Sequence, residues 1–310
     1  MAEPGDFGAL VRSVRDAVAH LRTWRRGERR APHKPLLLLY ALARVQRGES
    51  RLVEFDEAEP ILSSLLRRFG PGRGPTHPLY PFWYLRNDGL WDVPRADGLP
   101  RRGGTKEPLV RAVRESRIEG GFPAPIHDLL RRRRPRLVVE LAREILDEHF
   151  AESLHEDVAE AAGVDLTEAT SGAATRRIPR PPGFRDEVLR AYGYRCAICG
   201  FQALLDGTTI GVEAAHVRWH AYDGPSTLDN GLALCVLHHK FLDLGVVGLS
   251  PQRTVIVTSR ISADEETSRL VMRDINRPLR GPQSALAPID ERFAAWHRRE
   301  VFKSPARAGS

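Results

Sequence analysis

Four residues of this chain have the types and spacing of a closed metal centre. Cys196 and Cys199 form C-x2-C, and Cys235 and His238 form C-x2-H. Two short knuckles separated by a long loop can bring four ligands around one tetrahedral zinc ion. The pattern uses every cysteine in the chain. With four protein ligands no coordination position is left for substrate, so structural Zn2+ is the expectation. The alternative, three buried thiols without metal, leaves the adjacent histidines unexplained.

Between the knuckles lies a second set of polar residues. His216 ends Val-Glu-Ala-Ala-His, Asn230 sits in Leu-Asp-Asn-Gly, and His239 directly follows the last zinc ligand. A neutral imidazole titrates near physiological pH, so His216 can take a proton from water. A second imidazole, His239, can hold a divalent cation against a phosphate. The elements that must position them are short. Residues 210–217 alternate like a strand, 227–231 read as a loop, and 234–242 as a short helix. Adjacent helical residues point about a hundred degrees apart, so His238 can face zinc while His239 faces a separate site.

With these residues, the order strand, loop and helix resembles the ββα-metal motif of the HNH endonucleases, in the branch found in McrA-like restriction enzymes. The likeness spans about residues 184–250. It implies that His216, Asn230 and His239 are catalytic: His216 as general base, His239 as ligand of a catalytic divalent cation, and Asn230 as the residue that positions the base-bearing loop and approaches the cation. Mg2+, Mn2+ or another transition ion would serve. One position departs from the pattern. Many relatives carry Asp or His just before the general base, and here that residue is Ala215. Glu213 and Asp243 are helpers to consider, with a structural role as the simpler reading of each.

The rest of the chain must supply target choice. A length of 310 residues is enough for two domains, and 42% hydrophobic with 28% charged residues describes an ordinary globular protein. No apolar run approaches the ~20 residues that cross a bilayer, and the N-terminus lacks signal-peptide order, so a cytoplasmic protein is expected. The net charge of +7 is uneven: +8 in residues 1–150, −3 in 151–183 and +2 in 184–310. A basic N-terminal part fits a polyanion partner. Arginines number 43 and lysines four, Lys34, Lys106, Lys240 and Lys303.

Helices are expected over 7–21, 36–45, 56–68, 106–119 and 137–150. The aromatic stretch 78–93, with its Asp88-Gly89 pair, reads as a hairpin. Residues 151–183 look like a linker that contains at most one short helix. The fold class is therefore α+β: an α-rich N-terminal DNA-reading domain with a small hairpin (1–150), a linker (151–183), and a zinc-stapled ββα-metal nuclease domain (184–310).

The segments His33-Lys34-Pro35, Tyr80-Pro81-Phe82-Trp83-Tyr84 and Asp88-Gly89-Leu90-Trp91 resemble the sulfur-binding domain of phosphorothioate-dependent McrA-type restriction enzymes, over about residues 7–150. The resemblance implies a type IV restriction endonuclease acting on double-stranded DNA that carries phosphorothioate linkages. Sulfur is larger, softer and less hydrated than the oxygen it replaces, so a shallow apolar cup can favour it. Tyr80, Pro81 and Tyr84 suit the cup, with Phe82 and Trp83 as core. His33, Lys34, Gly103, Gly104, Thr105 and Lys106 suit the rim and neighbouring phosphates. A homodimer is a further expectation, because such enzymes cut two strands with one site per chain. Two rivals stay open: a reader of methylated bases, and a non-catalytic zinc DNA-binding regulator.

Overall fold

The computed structural model describes residues 4–21, 31–71, 77–101, 103, 107–133, 136–167, 183–283 and 288–307. The chain divides into two compact units. One comprises Met1–Gly70, Pro75–Phe150 and His155–Thr175; the other comprises Pro71–Gly74, Ala151–Leu154 and Arg176–Ser310.

In chain order the first unit contains α1 (Pro4–Ala19), α2 (His33–Arg47), β1 (Leu52–Glu54), α3 (Phe55–Phe69), α4 (Leu79–Tyr84), α5 (Val110–Glu115), β2 (Glu119–Gly121), α6 (Ala124–Arg133), α7 (Arg136–His149) and α8 (His155–Ala162). Its centre is α2. Leu36 to Leu39 are all buried, as a helix apolar on every side must be. Each such leucine contributes roughly 1.5–3 kcal/mol. Helices α3, α4, α6, α7 and α8 pack around it.

Residues 78–93 are not a hairpin. They form α4 and a 3-10 turn, Leu85–Asp88. Leu79, Phe82, Trp83 and Leu85 are buried, a spacing that lines a helix facing a core. Gly89 adopts φ 72° and donates its N–H to Arg86 O, so the Asp-Gly pair closes a helical segment instead of turning a strand. The small sheet of this unit is β1 paired antiparallel with β2. β2 begins at the last residue of the expected helix 106–119, and among the described residues of that stretch only α5 is helical. The stretch expected to link the domains is folded through residue 167. Its helix α8 packs on α2, α3 and α7 with Val158, Ala159 and Ala162 buried; residues 168–182 lie outside the described set.

The second unit runs α9 (Phe184–Ala191), β3 (Ala203–Leu205), β4 (Thr208–Ile210), β5 (Val212–His216), β6 (Gly231–Cys235), α10 (Val236–Asp243), β7 (Val247–Leu249), β8 (Val255–Val257), α11 (Glu265–Met272) and α12 (Glu291–Glu300). Its core is the antiparallel pair β5–β6, in the register Val212↔Cys235 to His216↔Gly231. The expected helix 234–242 begins later, because Leu234 and Cys235 still pair with β5. Helices α9 and α10 both pack on this pair. A side chain at Gly231 would come within 2.5 Å of Val188 on α9, so glycine is required for that approach. Among the described residues no helix is long and apolar enough to cross a membrane.

Candidate functional site

The knuckles meet. Cys196, Cys199, Cys235 and His238 present ligand atoms that all lie within 4.8 Å of one another. His238 Nδ1 is 3.6 Å from Cys196 Sγ and 3.2 Å from Cys235 Sγ, and Cys199 Sγ is 3.9 Å from Cys235 Sγ. A tetrahedral zinc with bonds of about 2.0–2.3 Å spaces its ligands about 3.5–3.8 Å apart, so the cluster fits zinc. Hydrogen bonds with Cys199 and Cys235 push the Cys196 thiol below its usual value, and the same crowding pushes Cys235 above it. Three close thiols compete to ionise; a divalent cation removes the competition. The first knuckle is tied to β6 by Ala197 N–H donating to Ala233 O at 2.7 Å.

His216 ends β5 and is half-buried. Its ring stacks on Phe184 at 4.3 Å between centroids and 21° between planes. Its Nε2 lies 3.1 Å from Ser226 Oγ, and the His220 ring is 5.9 Å away. Neither Phe184 nor Ser226 was legible as a site residue. Both reach His216 through pairing and loop closure, which residue spacing does not reveal.

Asn230 is fully buried. Its Oδ1 accepts from Arg218 N–H at 2.8 Å, and its Nδ2 donates to Arg218 O at 3.0 Å and to Pro225 O at 2.8 Å. The amide thus holds both ends of the loop between His216 and Ser226. The amide is spent on backbone groups and is not turned toward a cation.

His239 and His238 do point apart. His239 Nδ1 lies 2.7 Å from Glu213 Oε2, and its Nε2 lies 3.3 Å from Asp243 Oδ2. Asp243 is buried and also accepts from Ser153 Oγ. Burial pushes its carboxyl above the ordinary range, while His239 and Ser153 pull it back. Ala215 is buried and offers no ligand. An imidazole nitrogen with a neighbouring carboxylate oxygen is a donor set that fits a divalent cation.

In the first unit Tyr80 and Tyr84 stand four residues apart on α4 and share a face. Their rings are 4.7 Å apart, and Tyr80 meets the His33 ring edge-on at 6.1 Å. All three are half-buried. Burial pushes both phenols upward, so they stay neutral. Pro81, expected beside them, is buried, as its position about a hundred degrees around the helix allows. Lys34 is also not on the rim. Its ammonium is 6% exposed and lies 2.5 Å from the 2% exposed Asp88 carboxylate, joining α2 to the turn after α4. Gly103 is exposed in a turn; Gly104, Thr105 and Lys106 lie outside the described residues.

A β5–β6–α10 frame with a Cys3His cluster at its edge and His216, Asn230 and His239 along it is the architecture of an HNH nuclease, a metal-dependent DNA endonuclease. Residues 196–250 match the HNH endonuclease family, and residues 11–167 match the ScoMcrA-like DNA sulfur-binding domain. The second match covers half of the chain, which belongs to that family: a sulfur-binding domain joined to an HNH domain, the composition of a modification-dependent restriction endonuclease. No curated protein matches. Similar solved structures include the sulfur binding domain of ScoMcrA complexed with phosphorothioated DNA, at 24% identity over 48% of this chain and 97% of that one, TM-score 0.42. The sulfur binding domain of SprMcrA complexed with phosphorothioated DNA is 27% identical over 53% and 96%, TM-score 0.40. The type IV phosphorothioation-dependent restriction endonuclease ScoMcrA is 22% identical over 58% of this chain, TM-score 0.42, and the match spans 33% of its length.

Proposed function

We propose that residues 11–167 read a phosphorothioate linkage in double-stranded DNA and that the second unit hydrolyses a phosphodiester nearby. The observation that carries this reading is the presence of both family matches on one chain. Tyr80, Tyr84 and His33 form the apolar ledge for sulfur, with Pro81 behind it, and the backbone of Gly103 to Lys106 supplies contacts to neighbouring phosphates. Lys34 supports the ledge from inside through Asp88.

In the nuclease His216 takes the proton from the attacking water, oriented by Phe184 and Ser226. Asn230 keeps that imidazole in place. His239 would hold a divalent cation, Mg2+ or Mn2+, which would supply charge stabilisation for the reacting phosphate. Zn2+ in the Cys3His cluster holds the frame. Two copies acting on opposite strands would complete a double-strand break.

The test is an equilibrium titration of the intact protein, without added Mg2+ or Mn2+, against Rp, Sp and unmodified duplexes of one sequence. Burying one small apolar group contributes about 2–3 kcal/mol, so one configuration, expected to be Rp, should bind roughly a hundredfold better. Equal affinity for all three discards the sulfur reader.

A further inference from the structure

We infer that Glu213 and Asp243 are working parts of the cation site at His239, Glu213 as a second ligand and Asp243 as the positioning residue that orients the ring. This rests on the reading of His239 as the cation ligand. The imidazole lies between the two carboxylates, and they differ. Asp243, 2% exposed, faces Nε2 at 3.3 Å, while Glu213, 49% exposed, faces Nδ1 at 2.7 Å. In the metal-free ring the contact of Nδ1 with Glu213 Oε2 is itself a hydrogen bond; with a cation bound, the buried carboxylate beside one ring nitrogen would take the N–H there and leave the lone pair on the other. Here that other nitrogen is Nδ1, on the side where Glu213 meets solvent and an ion can enter.

The strand explains why Glu213 is the carboxylate at hand. Side chains two apart on a strand leave the same face, so Glu213 emerges beside Ala215, the position where a carboxylate is missing. His216, three residues from Glu213, leaves the other face, toward Phe184. Glutamate's longer side chain offsets the step back along β5 and reaches α10. The 2.7 Å between Nδ1 and Oε2 is near the roughly 2.9 Å edge of an octahedron whose bonds are about 2.0–2.1 Å. One nitrogen and one carboxylate oxygen, with water for the remainder, suit Mn2+ or Mg2+ better than a thiophilic ion.

The experiment is a Mn2+ titration of the full-length, zinc-loaded protein, followed by electron paramagnetic resonance of the free ion. It compares wild type with His239→Ala, Glu213→Gln and Asp243→Asn, with zinc content and melting temperature measured for each. His239→Ala should abolish the site. Glu213→Gln and Asp243→Asn should each weaken Mn2+ by about 10–100-fold with zinc retained. Wild-type affinity in Glu213→Gln, with binding lost in His239→Ala, overturns the ligand role and leaves the His239 reading standing. Wild-type affinity in His239→Ala removes that reading and this inference together. A folded Asp243→Asn that binds normally overturns its orienting role; if that variant does not fold, half-exposed Glu213 still decides the ligand assignment.

Discussion

Asn230 and Arg218 exchange two hydrogen bonds: Arg218 N–H donates to Oδ1 at 2.8 Å, and Nδ2 donates to Arg218 O at 3.0 Å. With the third bond, to Pro225 O, one buried amide fixes the loop whose two ends carry His216 and Ser226. The placement of His216, the proposed base, is therefore set by a residue that need not touch substrate.

Asn230→Ala removes all three of these part-buried hydrogen bonds and should destabilise the nuclease unit by about 2–4 kcal/mol. Asn230→Asp should do no better, since a carboxylate oxygen would face two carbonyls where the amide donates. Denaturant unfolding checks both, and a change below ~0.5 kcal/mol would remove the pinning role.

Zinc removal should melt one unit and spare the other. Cys199→Ser, or a strong chelator, is expected to unfold residues 184–307 while the helical unit keeps its own transition. Calorimetry and metal analysis of the purified protein decide; an intact nuclease fold without zinc contradicts the assignment.

His216→Ala should bind DNA and Mn2+ like wild type yet lose cleavage by about 10²–10⁴-fold, the usual contribution of a general base. Nicking at wild-type rate in this variant would assign the proton transfer elsewhere.

Lys34→Ala should act through stability. It removes the ammonium beside the buried Asp88 carboxylate, at a cost of up to about 3–5 kcal/mol. Replacing Lys34 and Asp88 together by apolar residues should recover much of the loss, as thermal melts of single and double variants would show. If the single variant melts like wild type and only binds DNA more weakly, Lys34 is a phosphate contact after all.

The nuclease was largely legible because its chemistry is local. Cysteine spacing states a Cys3His cluster, and the step from His238 to His239 states two faces of one helix. What stayed hidden depends on packing. Alternating aromatics around Asp88-Gly89 read as a hairpin, yet burial of Phe82 and Trp83 selects a helix, and Gly89 serves equally well to end it. Lys34 looks like a free cation in sequence; only the fold brings Asp88 to it across 54 residues. The same holds for Phe184 beneath His216.

Tyr80→Ala and Tyr84→Ala should reduce the difference in affinity between phosphorothioate and ordinary duplexes, with less effect on binding to ordinary DNA. Removing either ring takes apolar surface from the ledge and leaves backbone phosphate contacts in place. Fluorescence anisotropy on matched duplexes reads both affinities. A uniform loss on both duplexes would place these tyrosines in general phosphate binding.

The most direct measurement is cleavage of two duplexes of identical sequence, one with Rp phosphorothioate linkages and one without, by the intact protein with Mg2+ or Mn2+. The account predicts that only the sulfur-bearing duplex is cut, and that His216→Ala cuts neither. Equal cleavage of both duplexes, or cleavage at wild-type rate by His216→Ala, would contradict it.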